Sequence, residues 1–593
     1  MGLQQTPRKR RSPWAIYGPI IAVVVIVAIV IAIVASNGSS SKNKSVSVGN
    51  GSGSSATAAS GQNGVPIFYN DAKAKGELDK YTWQDDCDKT TGYVAVPVLN
   101  PPPCVPKFTG NNGGATSPGV TGDAIKVGYY IAKPDPLLDA SLKATGTYDP
   151  PDKTDKVTQA YFHLYEKLFE LYGRHLQLVR IDGTGTSSDA VAARADADKA
   201  AAAGVFAVIG GPGQAKQFGD ELAQKHILCL GGCIVAQPQQ YILDHEPYMW
   251  PIGPTPDETS TLVTDLIKNQ LLGKPAQWAG PAIVGKPRTF TMLTYNTPDG
   301  QYTASWDDLR KKMDAIGAKV VSHVDYYLNL PTLQADARTI AAKLKQANAT
   351  DILFTGDPIF PQYLTKEMTK QGYFPEWVLS GTVLADTVAF AKSFDQQQWK
   401  HAFGLNLSHP LTVKTDQDAY TLHKWWYGTP PESDNNYGVV NAPIEMFMEG
   451  LQTAGPNLTP QSFKNGIYAV PPNVPAGTPT PSPIITYGNH GLWPGLADDP
   501  GGGDNVSLLW WDPTVNGVDE VGNPAHGQYR VLNNGARYTA ANFPTDPLPF
   551  FNPANTVTVY QAGHPPADLV PKSYPVPADA PAAQGSQSTS TTG

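Results

Sequence analysis

The chain has 593 residues, 52 acidic and 44 basic, for a net charge of −8. Charged residues are 16% of the total, below the roughly 25% usual for soluble domains. With 41% hydrophobic residues a large core is available, so global disorder is excluded, as is a nucleic-acid binder driven by overall basicity. Only one long apolar run exists, which excludes a multi-span membrane protein.

That run is 14–35, and every residue from Ile20 to Val34 is Ala, Val or Ile. At about 1.5 Å per residue, roughly 20 helical residues span the hydrocarbon core. Signal-peptide apolar regions run to about 7–15 residues, so an uncleaved anchor is expected. Arg8, Lys9, Arg10 and Arg11 precede the run, which places 1–13 in the cytoplasm and the bulk of the chain outside the cell membrane, in a single pass. Residues 1–44 carry six basic and no acidic side chains, leaving an acidic exterior with no reason to prefer nucleic acid or anionic lipid.

The four cysteines then lie where disulfides persist. Cys87 and Cys104 are expected to close a Pro-rich loop in a region with little core. Cys229 and Cys233 are close enough to form a second disulfide, if the local backbone allows it. The spacings do not fit a zinc site, and no metal is expected.

Residues 36–64 read as a flexible Ser/Gly linker and 65–118 as an irregular Cys-containing appendage. Regular alternation starts with a strand at 125–131. A helix at 156–172, a strand at 176–181, a helix at 187–203, a strand at 205–209, a helix at 215–225 and a strand at 227–230 follow. Repeated β-α-β implies a parallel sheet covered on both faces. Thr255 to Glu258 is a capping box with proline at the first helical position, opening a helix to Leu272. Strands at 289–295, 319–324, 351–355 and 377–379 alternate with helices at 303–316, 333–347 and 361–371. A helix is expected at 442–454 and late strands at 508–512 and 528–532.

This succession, from GVTGDAIKVGYY (119–130) through the segments 176–213, 248–260, 290–357 and 441–455 to LLWWDPTVNGVDEVGNPAHGQYRVLNNG (508–535), resembles the type I periplasmic binding proteins, the branched-chain amino-acid receptor family of ABC transporters. The resemblance covers about 119–545 and implies an α/β fold of two Rossmann-like lobes. Lobe 1 would be 119–253 with 381–465, and lobe 2 would be 254–380 with 506–545. A Pro/Gly-rich insertion at 466–505 and a disordered tail at 546–593 complete the expected organisation.

The resemblance further implies an extracytoplasmic receptor that binds a small polar ligand between its lobes and delivers it to an ABC permease. The alternative is a sensor that reports ligand to a membrane partner. No enzyme activity and no cofactor are implied. Ligands of open α/β sheets sit outside the strand carboxyl ends, so candidate contacts from lobe 1 are Gly211, Gly213, Gln214, Gly231, Gly232 and Cys233. From lobe 2 they are Tyr295, Asn296, Tyr302, Asp357, Gly381 and Thr382. Each has a plainer reading: the glycines turn a strand into a helix, Cys233 serves a disulfide, Asn296 and Tyr302 cap or pack, and Asp357 caps the next helix. Trp425, Trp426, Trp510 and Trp511 are expected to pack rather than cage a ligand. The loop at 210–216 lacks the Gly-Lys-Ser/Thr ending of a P-loop, and no HExxH occurs. The acidic loop 498–504 lacks the EF-hand spacing.

Overall fold

The computed structural model describes residues 64–587, apart from 137–138, 140–142, 144–147, 233–236, 298–299, 330, 382–383, 408–410, 475–476 and 497. The expected anchor at 14–35 lies outside the described residues, as do Cys233 and Thr382. Among the described residues no helix is long and apolar enough to cross a membrane.

The appendage holds a two-stranded antiparallel ribbon, β1 (Cys87–Asp88) and β2 (Tyr93–Val94). The Cys87–Cys104 disulfide staples it, over a small core of Ile67, Tyr69, Ala72 and Trp83. Gln452 fixes it to lobe 1: Nε2 donates to the Pro103 carbonyl (2.8 Å) while Oε1 accepts from the Glu170 amide (2.9 Å).

Lobe 1 is built on a parallel sheet of β3 (Ala124–Ile131), β4 (His175–Asp182), β5 (Ala207–Ile209), β6 (Leu228–Leu230) and β7 (Met249–Trp250), in the order β4-β3-β5-β6-β7. The central strands are short and wholly apolar because both faces are covered. Helix α1 (Pro151–Leu168) buries Val157, Tyr161, Phe162, Leu164, Tyr165 and Leu168. Helix α2 (Ala190–Ala202) is capped by Asp189, which accepts from the Val191 and Ala192 amides, and α3 (Gln217–Gln224) lies beside it.

Cys229 is a buried free thiol, so the second disulfide that the spacing left open does not form at this residue. It sits in β6 and its side chain joins the apolar layer of Val205, Val208, Ala215 and Phe218, which holds it in the core.

Lobe 2 opens with α4 (Pro256–Leu266), whose Thr255/Glu258 capping box forms as expected. The helix changes to a π-turn over Ile267–Leu271. β8 (Phe290–Tyr295), β9 (Val320–Tyr326), β10 (Asp351–Thr355) and β11 (Glu376–Leu379) alternate with α5 (Thr303–Ala315), α6 (Leu333–Ala347) and α7 (Phe360–Gln371). A further parallel strand, β12 (Ala402–Asn406), pairs with β11. The return to lobe 1 therefore follows β12 instead of coming at 381. The reason is steric and apolar: all five β12 residues are buried between β11 and the later hairpin.

That hairpin, β13 (Val506–Val518) and β14 (Pro524–Val531), extends the sheet antiparallel, and β15 (Arg537–Tyr538) pairs with β13. The final order is β14-β13-β12-β11-β10-β8-β9. Trp510 and Trp511 lie in the core of this sheet.

Between β12 and β13 the chain returns to lobe 1 as α8 (Asp418–Tyr427), α9 (Tyr437–Ala454) and α10 (Pro460–Ile467). Tyr165 of α1 donates to Asn441 Oδ1 of α9 at 2.9 Å, so helices far apart in sequence close one layer. Trp426 is buried there, and Trp425 Nε1 donates to the Tyr574 carbonyl (2.9 Å).

The Pro/Ala-rich end of the chain, read from the sequence as a disordered tail, carries defined contacts over 546–587. The Leu548 amide donates to Gln270 Oε1 in lobe 2 (2.9 Å) and Val557 bridges Val531. Ala580 is fully buried against lobe 1. This segment is a strap laid across both lobes.

Closing the 17-residue separation between Cys87 and Cys104 is worth roughly 3 kcal/mol in the chain-entropy model. Reduction should therefore lower the melting temperature. Thiol counting on the folded, unreduced protein should find Cys87 and Cys104 unreactive; two accessible thiols at these positions would contradict the staple.

Candidate functional site

In lobe 1 the expected site residues occupy two turns that lie against each other. The Gly210 amide donates to the Leu230 carbonyl (2.9 Å), and the Gly213 amide to the Gly232 carbonyl (3.1 Å). The Gln214 amide donates to the Ser187 carbonyl (3.2 Å), and Gly231 to Trp250 (3.3 Å). Ser187 Oγ also reaches Gln214 Oε1 at 3.3 Å. The amides of Gly213, Gln214 and Gly231 thus stitch strand ends together. Gly231 adopts φ +71°, and a Cβ there would fall 2.9 Å from Pro443 Cβ of α9, so only glycine passes this point without strain. Gly211 and Gly232 are in direct contact: a Cβ on Gly232 would lie 3.3 Å from the Gly211 amide nitrogen.

In lobe 2 the expected residues lie at the ends of β8 and β10, with Gly381 just beyond the end of β11. Asn296 is buried and organises its own loop. Its Oδ1 accepts from the Thr297 (2.9 Å) and Tyr302 (3.2 Å) amides, while Nδ2 donates to Thr303 Oγ1 (3.2 Å) and Asp325 Oδ2 (3.3 Å). Tyr295 packs beside Tyr302 and Tyr326, with ring centroids 5.4 and 5.8 Å away, and Tyr302 is fully buried.

Asp357 is also fully buried. Its Oδ2 accepts from the Tyr326 hydroxyl (2.5 Å), and its Oδ1 from the Ile359 (2.7 Å) and Phe360 (2.9 Å) amides, so it closes the turn into α7. Burial pushes its carboxyl up, against the pull of those hydrogen bonds. The side chains of Asn296, Tyr302 and Asp357 are therefore engaged within lobe 2, as their plainer readings describe.

The lobe 1 turns 210–214 and 231–232 carry no hydroxyl side chains. The structure places them in lobe 2. Thr355, the last residue of β10, and Ser380, just after β11, line a hollow with Thr259 and Ser260 of α4 and with Trp306 and Leu309 of α5. The Thr355 hydroxyl is buried without a hydrogen-bond partner. Thr355 and Ser380 are visible in the sequence as strand-end residues, whereas Thr259 and Ser260 join them only through the packing of α4.

No family model and no curated protein matches the chain. Among solved structures it is similar to an ABC-transporter substrate-binding protein from Aeropyrum pernix, at 13% identity over 72% of this chain and 99% of that one, with a TM-score of 0.47. It is also similar to a leucine-, isoleucine-, valine-, threonine- and alanine-binding protein from Brucella ovis in a closed conformation, at 12% identity over 72% and 97%, TM-score 0.47. A solute-binding protein from Rhodopseudomonas palustris in complex with p-hydroxybenzoic acid gives 13% over 70% and 98%, TM-score 0.46. These likenesses are too distant to place the chain in a family.

Two substitutions separate scaffold from orphan polar groups. Asp357→Ala removes a buried acceptor from three donors and should cost about 1–3 kcal/mol, read as a lower melting temperature. Thr355→Val removes a hydroxyl with no partner, and its melting temperature should hold or rise. A fall in Thr355→Val comparable to that in Asp357→Ala would show that the hydroxyl has a partner.

Proposed function

We propose that this chain is an extracytoplasmic solute receptor that holds a small polar ligand between two α/β lobes, without catalysing a reaction. The observation that carries the reading is architectural. Two separate sheets, each with a parallel core, are joined by several chain crossings, and their carboxyl-end turns are built from glycine and hydroxyl residues. Such turns are where open α/β sheets take ligands, and paired lobes of this kind close by hinge motion.

In this reading Gly211 and Gly232 supply the lobe 1 wall. Ser380 and Gly381 supply the lobe 2 wall. Tyr295, Asn296, Tyr302 and Asp357 shape that wall from within. The ligand is a small carboxylate or amide, recognised by main-chain amides and hydroxyls. The apolar run at 14–35 anchors the receptor in the cell membrane with its lobes outside, and an ABC-type permease is the partner that accepts the ligand.

A melting screen against small carboxylates and amides tests the binding claim. A ligand at 100 times its Kd adds about 2.7 kcal/mol, which gives a clear upward shift. A well-folded protein that no member of a broad metabolite library stabilises would contradict it. The anchor is checked by the intact mass of the membrane-extracted protein. A soluble chain beginning near Ser36 would overturn that part.

A further inference from the structure

The first crossing between the lobes, 251–255, is covered by the third, the inserted segment between α10 and β13. Tyr487 donates its hydroxyl to the Pro251 carbonyl (2.8 Å), and the Gly502 amide donates to the Gly253 carbonyl (3.2 Å). At this seam three carboxyls are buried together: Glu258 and Asp504 at 0% exposure and Asp499 at 1%. The loop backbone rests directly on Glu258, since a Cβ on Gly501 would fall 2.2 Å from its Oε2.

The three carboxyls are not equally satisfied. Asp504 accepts from Trp493 Nε1 (2.9 Å), the Thr486 amide (2.9 Å) and the Thr486 hydroxyl (2.8 Å). Glu258 Oε2 accepts from the Thr255 amide (2.6 Å), but its Oε1 meets no donor. Neither oxygen of Asp499 meets a donor, although its carboxyl lies within hydrogen-bonding reach of Glu258 and Asp504. No lysine, arginine or histidine pairs with any of the three among the described residues, and no group of side chains there is arranged to hold a metal. Two acceptor carboxyls meeting in a dry site must share a proton, because ionised together they would repel without compensation.

We propose that Glu258, Asp499 and Asp504 form a proton-held latch, which seats the inserted segment on the first lobe crossing at low pH and releases it as pH rises. The latch does not depend on what the protein binds.

The sign follows from burial. Desolvation pushes Glu258 up to about 7 and Asp504 up to about 6, and raises Asp499 further still with the help of its two acidic neighbours. Folding therefore takes up protons, and the seam loses stability as pH rises from the ordinary carboxylate range near about 4 through 7, and goes on losing it above 7 as Asp499 gives up its proton. The surrounding charges do not cancel this. Asp257 accepts from the Gln239 amide (2.8 Å), and Lys312 reaches the Asp257 carbonyl (3.2 Å). Glu246 on the lobe 1 side pairs with Lys464 and accepts from the Tyr468 hydroxyl (3.1 Å). Asp498 and His490 lie on the inserted segment itself, with His490 held to the Tyr487 carbonyl (3.1 Å), and Glu449 of α9 lies behind Tyr487 with its own carboxyl pushed up to about 8 by burial, so it takes up a proton in the same direction.

Hydrogen exchange of the whole protein at pH 5.5 and pH 8.5, corrected for intrinsic rates, reads the latch directly. Protection of amides in 484–505 should fall at least tenfold at the higher pH, while β3, which contains no carboxyl, changes little. In Asp499→Asn the side-chain amide replaces the shared proton as donor, so most of that pH dependence should disappear. Glu258→Gln makes the same substitution from the other side and serves if the first variant does not fold. Equal protection at both pH values, or wild-type pH dependence in the folded variant, would overturn the latch. Recovery of protection at pH 8.5 on adding millimolar calcium chloride to the wild type, but not to the variant, would also overturn it, by showing a cation site.

Discussion

The burial of Glu258 at the first crossing between the lobes constrains much of the rest of the structure. Its carboxylate closes the capping box that starts α4, and so fixes where lobe 2 begins. The same carboxylate leaves no room for a side chain at Gly501, so the inserted segment must pass with bare backbone. Tyr487, held by the Pro251 carbonyl, then packs on Trp250 at the end of the lobe 1 sheet, with ring centroids 5.7 Å apart. One buried acid thus sets a helix start, a loop composition and the approach of two chain crossings. Burying it costs free energy that hydrogen bonding to Thr255 offsets only in part.

The lobes are also joined by the strap at the end of the chain. It leaves lobe 2 near Gln270 and Val531, passes Leu411 through the Tyr560 amide (2.8 Å), and ends against α8 and the appendage. There Lys572 and Tyr574 both bond Asp88, beside the disulfide. Opening the lobes must either carry this strap or peel it off. The stapled appendage therefore holds the end of a strap that ties lobe 2 to lobe 1, and in the proposed receptor it would restrain hinge motion.

Much of this was legible in the sequence, and the misses have identifiable causes. The β-α-β alternation, the Thr255 capping box and the Cys87–Cys104 staple follow from local signals: periodicity, cap residues and loop length. β12 was missed because Gly404 interrupts a five-residue strand that is apolar only by virtue of its neighbours. Helix α9 starts at Tyr437, ahead of Pro443, where local rules end or begin a helix; packing on α1 overrides them. The strap reads as a proline-rich tail because its order comes from contacts with both lobes and not from its own composition. At the candidate site the strand ends were legible, but the partners of each polar atom were not. Asn296 and Asp357 follow strand ends, and their acceptors are filled by backbone amides and by the Tyr326 hydroxyl, which only the fold brings near.

The central claim is that two lobes close on a small ligand. Spin labels at Val191 in lobe 1 and Val321 in lobe 2, both exposed positions, report the separation between the lobes. Electron double resonance with and without a saturating ligand, chosen by the melting screen, measures it in the intact protein. The account predicts a narrower distance distribution whose mean moves when ligand is added. Superimposable distributions, with binding confirmed in the same sample, would contradict it.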